Sequence, residues 1–241
     1  MKSRRATRHA ALLVAAFCAL APAAAGADPI VPNADFSLGY SGFSSSYGYL
    51  PYPGSYGPRL MYPEGIFTVG SNPGFVHDRW LNMADHTTGD GAMLIVNGNR
   101  VANVTVWSAT VEVTSNTLYD FSAWAASTYW RSPSSLAFSI NGAFLESPLA
   151  LPSERGVWQQ FAAPWFSGDT TTAVLSLVNL NTEWNGNDFV LDDIALKTRP
   201  QVDPREFEDP EPVPEPGSTL LLFGGAVASL LGIRRNSRDS R

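Results

Sequence analysis

Tryptophan side chains beside polar loops are the first candidates for ligand contact in this sequence. The chain contains 7 tryptophans, and an indole ring can stack on the apolar C–H face of a sugar while its N–H group meets a polar partner. Trp130 stands beside Arg131 at the start of a loop, and Trp184 lies in a polar loop. Trp124 falls within a strand-like run, where core packing is the competing role. We predict that Trp130, Trp184 and Trp124 contact a ligand.

Known catalytic motifs are absent from the sequence. It has no Gly-x-Ser-x-Gly elbow, no His-Glu-x-x-His pair and no glycine loop for phosphate. His77 and His86 have no evident third metal ligand. Asp192 and Asp193 are adjacent, so on a regular strand they point to opposite faces and cannot flank one glycosidic bond. We predict that the protein is not an enzyme, although acid pairs that meet only in space are not visible in a sequence.

The first 27 residues have the three parts of a secretory signal peptide. A basic head is followed by an apolar run at 10–21 and by the small residues Ala25, Gly26 and Ala27. The apolar run is too short to span a bilayer, which requires about 20 residues. We predict that signal peptidase removes residues 1–27. The only cysteine, Cys18, leaves with them, so the mature chain can form no disulfide.

The C-terminus consists of a linker, an apolar segment and a basic tail. Residues 200–217 are rich in proline and acid, which favours an extended linker. Residues 218–233 are apolar, and as a helix they would be about 24 Å long, short of a hydrocarbon core of about 30 Å. The positive-inside rule places the arginines of residues 234–241 in the cytoplasm. We therefore predict a short transmembrane helix with the main domain outside the membrane.

A Pro-Glu-Pro motif, a short apolar helix and terminal arginines, in this order, resemble the PEP-CTERM sorting signal. In that family an exosortase, a membrane cysteine protease, cleaves near the motif. The motif positions here are Pro214, Glu215 and Pro216. The resemblance implies an exported protein with a transient anchor in the inner membrane. After cleavage it would reside in the cell envelope or extracellular matrix of a bacterium that makes exopolysaccharide.

The part of the chain between the two targeting ends is strongly acidic. Residues 28–213 contain 8 Lys and Arg against 20 Asp and Glu, a net charge of −12, whereas the whole chain carries −6. Binding to nucleic acid requires a basic surface. The charge therefore excludes nucleic acid as a partner and favours cations or neutral polymers.

Short alternating segments separated by turn residues run through residues 28–199. Asn97-Gly98 and Asn141-Gly142 each follow such a segment and predict hairpin turns. No stretch shows long helical periodicity. The pattern predicts eight or nine strands in an all-β sandwich, with a jelly roll as the preferred topology. The strands that can be placed are 66–69, 92–96, 104–113, 118–128, 136–140, 158–162, 173–178 and 189–196.

Residues 39–62 differ from the rest of the domain because tyrosine alternates there with glycine, serine and proline. Two interpretations are open. The segment is either an aromatic loop that stacks on a ligand or a long surface insertion with no packed structure of its own.

Two runs of the sequence carry a resemblance to a fold family. They are Asn33-Ala-Asp35-Phe36 and Gly186-Asn-Asp-Phe-Val-Leu-Asp-Asp-Ile194. They look like the first and last strands of galactose-binding-like jelly rolls, a group that includes carbohydrate-binding modules. The resemblance implies a structural calcium ion between these strands, and the matching positions are Asn33, Asp35, Asp192 and Asp193. Ser37 stands where those modules usually carry a glutamate, which removes one expected ligand.

These features together predict a non-catalytic, exported β-sandwich protein that binds polysaccharide. The choice of a sugar ligand rests on analogy of fold. One alternative is a structural or adhesion protein of the matrix that associates through its tyrosine-rich segment. The other is a carbohydrate-active enzyme with a divergent site. A glycan binder would respond to sugar polymers, a matrix protein would self-associate, and an enzyme would release reducing ends.

Overall fold

A computed structural model describes residues 30–53 and 61–199 of the chain. Within these ranges the chain forms eleven strands and one helix of four residues. The elements are β1 Gly48–Tyr49, β2 Ile66–Gly70, α1 Pro73–Val76, β3 Met93–Asn97, β4 Thr105–Glu112, β5 Leu118–Ser127, β6 Ser135–Ile140, β7 Ala143–Phe144, β8 Leu149–Ala150, β9 Gln159–Phe166, β10 Thr172–Asn179 and β11 Phe189–Thr198.

The predicted targeting ends lie outside the described residues. This applies to the signal peptide (1–27), the linker (200–217), the short apolar helix (218–233) and the basic tail (234–241). Within the part of the chain that the structure describes, no helix has the length and apolar character needed to cross a membrane.

The strands form two sheets. One has six strands in the order β1-β2-β3-β11-β5-β9, and the other has the order β4-β10-β6-β7, with β8 also paired to β6. All pairs are antiparallel except β1 and β2. All eight strands placed from the sequence are present, and β9 continues four residues beyond its predicted end at 162. The predicted jelly-roll β-sandwich is confirmed.

The core between the sheets is filled by inward-facing side chains from both of them. Phe138 of β6 stacks on Phe161 of β9 with ring centroids 4.0 Å apart. Phe121 of β5 meets both rings edge-on. Trp107 of β4 is only 2% exposed, so it packs in this core. Large aromatic side chains that pack across the two sheets therefore hold the sandwich together, mainly through burial of apolar area.

The outer face of the six-stranded sheet is covered by the connection between β2 and β3. Met93 and Ile95 of β3 and Val190 of β11 pack there against Val76 and Trp80 of the connection. This second apolar cluster holds the residues that follow α1 over the sheet. They thereby reach the end of the sheet where β3 and β5 finish and β11 begins.

One of the two predicted hairpins is present. Asn141 and Gly142, with φ of 52° and 78°, join β6 to β7 in a two-residue turn. The hairpin predicted at Asn97-Gly98 is wrong, because β3 and β4 lie in different sheets. A Cβ atom at Gly98 would lie 1.2 Å from Oδ1 of Asn187. The glycine there permits two segments to approach closely, which is a different use of the same residue.

The described part of residues 39–62 packs on the sandwich. Tyr47 is 5% exposed, and its hydroxyl accepts a hydrogen bond from the backbone N–H of Asn99 at 3.1 Å. Burial raises the pKa of Tyr47 to about 12. Ser44 forms a β-bridge with Ser108. The interpretation of this segment as an insertion without packed structure is therefore wrong for the described residues, because tyrosine side chains and backbone pairing attach it to the sheets.

Candidate ligand-binding site

A pocket of about 300 Å³ lies at one end of the six-stranded sheet. Antiparallel pairing brings the ends of β3 and β5 beside the starts of β2 and β11, as the register Ile66 opposite Asn97 shows. Loops that precede or follow these strands therefore converge there. We call this cavity the acidic pocket. Its walls include Tyr62, Glu64, Trp80, Asn97, Trp184 and Asp188.

Aromatic side chains line the acidic pocket at different depths. Tyr62 and Trp184 are 55% and 62% exposed, so their rings are open to an incoming ligand. Trp80 is 5% exposed, and its ring stacks on His77 with centroids 4.6 Å apart. Tyr129 is half-buried. Exposed rings next to polar groups suit ligands that present both an apolar face and hydrogen-bonding groups.

Asp188 lies on the buried side of the acidic pocket, directly before β11. It is 7% exposed, and its Oδ2 accepts a hydrogen bond from Nε1 of Trp80 at 3.1 Å. Burial raises the pKa of Asp188 to about 8, because desolvation of the carboxylate outweighs the hydrogen bond from Trp80. The pocket thus contains a carboxyl group whose protonated form is favoured by burial.

Glu64 supplies a second, half-buried carboxyl group to the acidic pocket. Burial raises the pKa of Glu64 to about 7, and the positive charge of Arg100 opposes this effect only in part. Its Oε2 is buried and has no hydrogen-bond partner among the described residues. A buried acceptor without a donor costs free energy, so an external donor that reaches Oε2 would bind favourably.

We expect the melting temperature (Tm) of the protein to fall by roughly 5 °C between about pH 5 and pH 9. The pKa values of Asp188 and Glu64 are raised to about 8 and about 7 from 3.8 and 4.5, so the folded state binds their protons more tightly than the unfolded state. This stabilisation is complete below the unfolded pKa values and is lost as pH rises through the folded ones.

Thermal melts followed by circular dichroism across this pH range check the expectation. Asp188→Asn should show about half of the wild-type fall, whereas Glu183→Gln, which changes an exposed carboxyl, should keep all of it. An Asp188→Asn variant with the full wild-type pH dependence would show that Asp188 is not the group responsible.

A second, more open groove of about 670 Å³ adjoins the acidic pocket. We call it the tryptophan groove, and it is lined by Trp130, Arg131, Glu183, Trp184 and Asn185, among others. Trp130 is 49% exposed, and the guanidinium carbon of Arg131 lies 4.4 Å from its ring centroid, a cation–π contact. Trp184 and Asn185 line both the pocket and the groove. The structure therefore joins two of the three predicted ligand-binding tryptophans in one surface.

Trp124, the third predicted tryptophan, lies in a different pocket of about 650 Å³. Its half-buried ring, on β5, stacks on the ring of His86 with centroids 4.1 Å apart. Asn33, Asp35 and Asp193 line the same pocket. Trp124 thus accompanies the predicted calcium ligands and does not line the acidic pocket or the tryptophan groove.

The predicted calcium ligands are only partly brought together. Asn33, Asp35 and Asp193 share that pocket, but Asp192 does not line it. Hydrogen bonds from Ser37 to Oδ1 of Asp35 lower the pKa of Asp35, so its carboxylate is ionised at neutral pH. No three His, Cys, Asp or Glu side chains within residues 30–53 and 61–199 could hold a metal ion together. A calcium ion there would therefore need two carboxylates, an amide oxygen and further oxygens from backbone or water.

Asp192 and Asp193 lie at a β-bulge in β11. The register with β5 shifts between Asp192 and Ala195, and Asp193 has a φ of 48°. The hydroxyl of Thr87 shares its one proton between Oδ2 of Asp192, at 3.1 Å, and Oδ1 of Asp193, at 2.7 Å. Both carboxylates therefore face the loop that contains Thr87. The prediction that they point to opposite faces is wrong, because the bulge interrupts the alternation of the strand.

Sequence reasoning missed Glu64, Trp80 and Asp188. Asp188 belongs to the run that indicated the last strand, and the available signal was an acidic residue directly before the buried strand residues 189–192. Glu64 lies in a Pro-Glu-Gly turn, which gives no local sign of burial. These residues become neighbours only through the pairing of distant strands.

The C-terminal end matches a known protein-sorting signal. Residues 212–236 match the PEP-CTERM protein-sorting motif. This match confirms the sorting signal predicted at Pro214, Glu215 and Pro216. It implies an exported protein that is anchored transiently at the membrane and processed by an exosortase. Among curated proteins, none matches the sequence.

Solved structures with a similar fold include a cyclase and binding modules. The Stig cyclase Fisc from Fischerella sp. TAU, in complex with (3Z)-3-(1-methyl-2-pyrrolidinylidene)-3H-indole, has a TM-score of 0.50 at 11% identity, covering 74% of this chain and 100% of that chain. The CBM22-1 xylan-binding domain of Paenibacillus barcinonensis Xyn10C has a TM-score of 0.46 at 14% identity, covering 75% and 100%. A CBM4 structure has a TM-score of 0.39 at 13% identity, covering 70% and 99%. At such identities similarity concerns the fold alone.

Proposed function

We propose that this chain is an exported polysaccharide-binding protein whose ligand lies across the acidic pocket and the tryptophan groove. The observation that carries the proposal is the position of Trp184, which is 62% exposed and lines both cavities. A small ligand would need only one of them, whereas a chain of sugar units can contact both sides of this shared wall. Sugars stack their C–H faces on indole rings and direct their hydroxyl groups to carboxyl and amide groups.

Further groups on both sides of Trp184 support a polymeric ligand. In the acidic pocket, Tyr62 offers an exposed ring, and Oε2 of Glu64 can accept a hydrogen bond from a hydroxyl group. In the tryptophan groove, Trp130 offers another ring, flanked by the polar side chain of Glu183. Successive sugar units would therefore meet an aromatic ring and a polar side chain in each cavity.

The export signal supports a ligand outside the cell. After processing by an exosortase, the protein would act in the cell envelope or the extracellular matrix, and the resemblance to sorted proteins of this type implies that exopolysaccharide is present there. We also propose that the domain binds without catalysis. Asp188 is buried and bonded to Trp80, so it serves the structure of the pocket more readily than it serves proton transfer to a ligand.

Trp184→Ala is expected to weaken polysaccharide binding at least 10-fold, because it removes the ring shared by both cavities. Isothermal calorimetry with the full chain in mild detergent, against a panel of exopolysaccharides and plant polysaccharides, measures the effect. Phe144→Ala is the matched control, since Phe144 is 61% exposed on β7, outside both cavities. The control should bind as the wild type does.

Three results would reject the proposal. If no polysaccharide binds and the protein self-associates, a structural or adhesive role replaces it. If incubation with a polymer releases reducing ends, and Glu64→Gln stops the release, the domain is a carbohydrate-active enzyme. Unchanged binding by Trp184→Ala would place the ligand elsewhere on the domain.

We further propose that calcium stabilises the pocket lined by Asn33, Asp35 and Asp193. The donor set of carboxylate and amide oxygens suits this hard cation. Chelator is expected to lower the Tm of the wild type by roughly 5 °C, and added calcium should restore it. Asp35→Asn should abolish this difference, whereas Asp90→Asn, a change of an exposed acid, should preserve it. A melting curve that chelator leaves unmoved contradicts the calcium site.

A further inference from the structure

The acidic pocket has more carboxyl groups than cationic side chains on its lining. Glu64, Asp78 and Asp188 line it, and Arg79 is the one arginine or lysine on its described lining. His77 also lines it, with Nδ1 3.6 Å from Oδ1 of Asp78. The tryptophan groove differs, because the positive charge of Arg131 balances the negative charge of Glu183 there. The surplus of acid is therefore a property of the pocket and not of the whole surface around Trp184.

Glu64 is the carboxyl group of the pocket that has the greatest need of a hydrogen-bond donor from a ligand. Its Oε2 is buried, yet none of the described residues donates a hydrogen bond to it. Arg100 favours its ionised form, but burial has the larger effect and raises the pKa of Glu64 to about 7. A ligand with both a hydrogen-bond donor and a positive charge would satisfy Oε2 and stabilise the carboxylate at the same time.

The aromatic lining suits the same kind of ligand. Tyr62 and Trp184 present exposed rings, and Tyr129 adds a half-buried one. A cation placed over the face of such rings is attracted by their quadrupole. Rings combined with carboxyl groups in one small cavity therefore bind an alkylammonium group better than a neutral hydroxyl group.

We propose that the acidic pocket binds the protonated amine of an amino-sugar unit, so that the protein recognises a polysaccharide containing non-acetylated hexosamine. This inference rests on the proposed polysaccharide-binding function and names its ligand class. The ligand is a sugar amine and not a free amine because the pocket and the groove share a wall. A sugar unit in the pocket can continue past Trp184 into further units that stack on Trp130 in the groove.

The test compares the affinities of the full chain for short oligosaccharides of equal length, in mild detergent near neutral pH. Calorimetry gives the affinities for a glucosamine oligomer, an N-acetylglucosamine oligomer and a neutral glucose oligomer. We expect the glucosamine oligomer to bind at least 10-fold more tightly than the other two. Glu64→Gln, which keeps the shape of the side chain but removes its charge, should reduce this ratio about 10-fold.

Glu112→Gln is the matched control, because it removes the same charge from an exposed position on β4, outside both cavities. It should leave the ratio unchanged, whereas a general attraction of cations to an acidic protein would make both variants lose equally and would overturn the inference. Equal affinity for all three oligomers would overturn it too, while the proposed polysaccharide binding would survive. Absence of binding to any saccharide would reject both. Melting curves verify that the variants are folded.

Discussion

Asp192→Ala is expected to lower the Tm of the protein by roughly 6–12 °C, which corresponds to about 3 kcal/mol of unfolding free energy. Asp192 is fully buried, and its carboxylate accepts four hydrogen bonds. The donors are the backbone N–H groups of His86, Thr87 and Asp193 and the hydroxyl group of Thr87. Alanine would leave these donors without an acceptor next to the core, and the loop would lose its attachment to β11.

Thermal unfolding with and without calcium measures this effect and separates two roles of Asp192. If the carboxylate acts through hydrogen bonds, the loss of Tm is the same in calcium and in chelator. If it ligates calcium, the loss appears only in calcium. Asp90 is an exposed residue of the β2–β3 connection, which also contains His86 and Thr87, and Asp90→Ala should change the Tm by less than about 2 °C. An Asp192→Ala variant as stable as the wild type would contradict the structural role of the four bonds.

Gly186→Ala is expected to abolish polysaccharide binding and to lower the Tm by roughly 10 °C. Gly186 has a φ of 133°, which L-residues rarely adopt, and a Cβ atom there would lie 2.0 Å from the backbone oxygen of Arg131. The clash is with backbone, so a change of side-chain rotamer cannot relieve it. The loop that carries Trp184 and Asp188 would have to move away from Arg131, and the shared wall of the two cavities would move with it.

Calorimetry and thermal melts on the same preparation check both parts of this expectation. The matched control is Gly142→Ala. Gly142 also has a positive φ, 78°, but an added Cβ would meet nothing within 4 Å. That variant should lose only about 1 kcal/mol and should bind polysaccharide normally. A Gly186→Ala variant that binds as the wild type does would show that the position of this loop does not matter for the ligand.

The strands of the sandwich were predictable because their pattern is local. Leu136, Phe138 and Ile140 alternate with smaller or polar residues, and β6 runs through them as expected. The turn at Asn141-Gly142 was predictable for the same reason, since two residues that accept positive φ suffice for it. At Asn97-Gly98 the same dipeptide serves a crossing between sheets, and only the contact of Gly98 with Asn187 reveals this.

The acidic pocket was not predictable from local pattern. Glu64 and Asp188 are 124 positions apart, and they share a pocket because β2, β3 and β11 are neighbours in one sheet. Their burial, and the raised pKa values that follow from it, depend on loops packed around the end of this sheet. Likewise, the bulge that turns Asp192 and Asp193 toward one loop is a property of strand pairing.

By itself the sequence determined the sorting signal, the class of fold and most of the strands. The order of motifs, the composition and the alternation of apolar and polar residues can all be identified from the sequence of residues alone. The tertiary structure decided which tryptophans share a surface, which carboxyl groups line one pocket and where the aspartates of β11 point. The physical reason is that a binding site is made by side chains brought together across strands, and burial and electrostatic coupling exist only after those strands have paired.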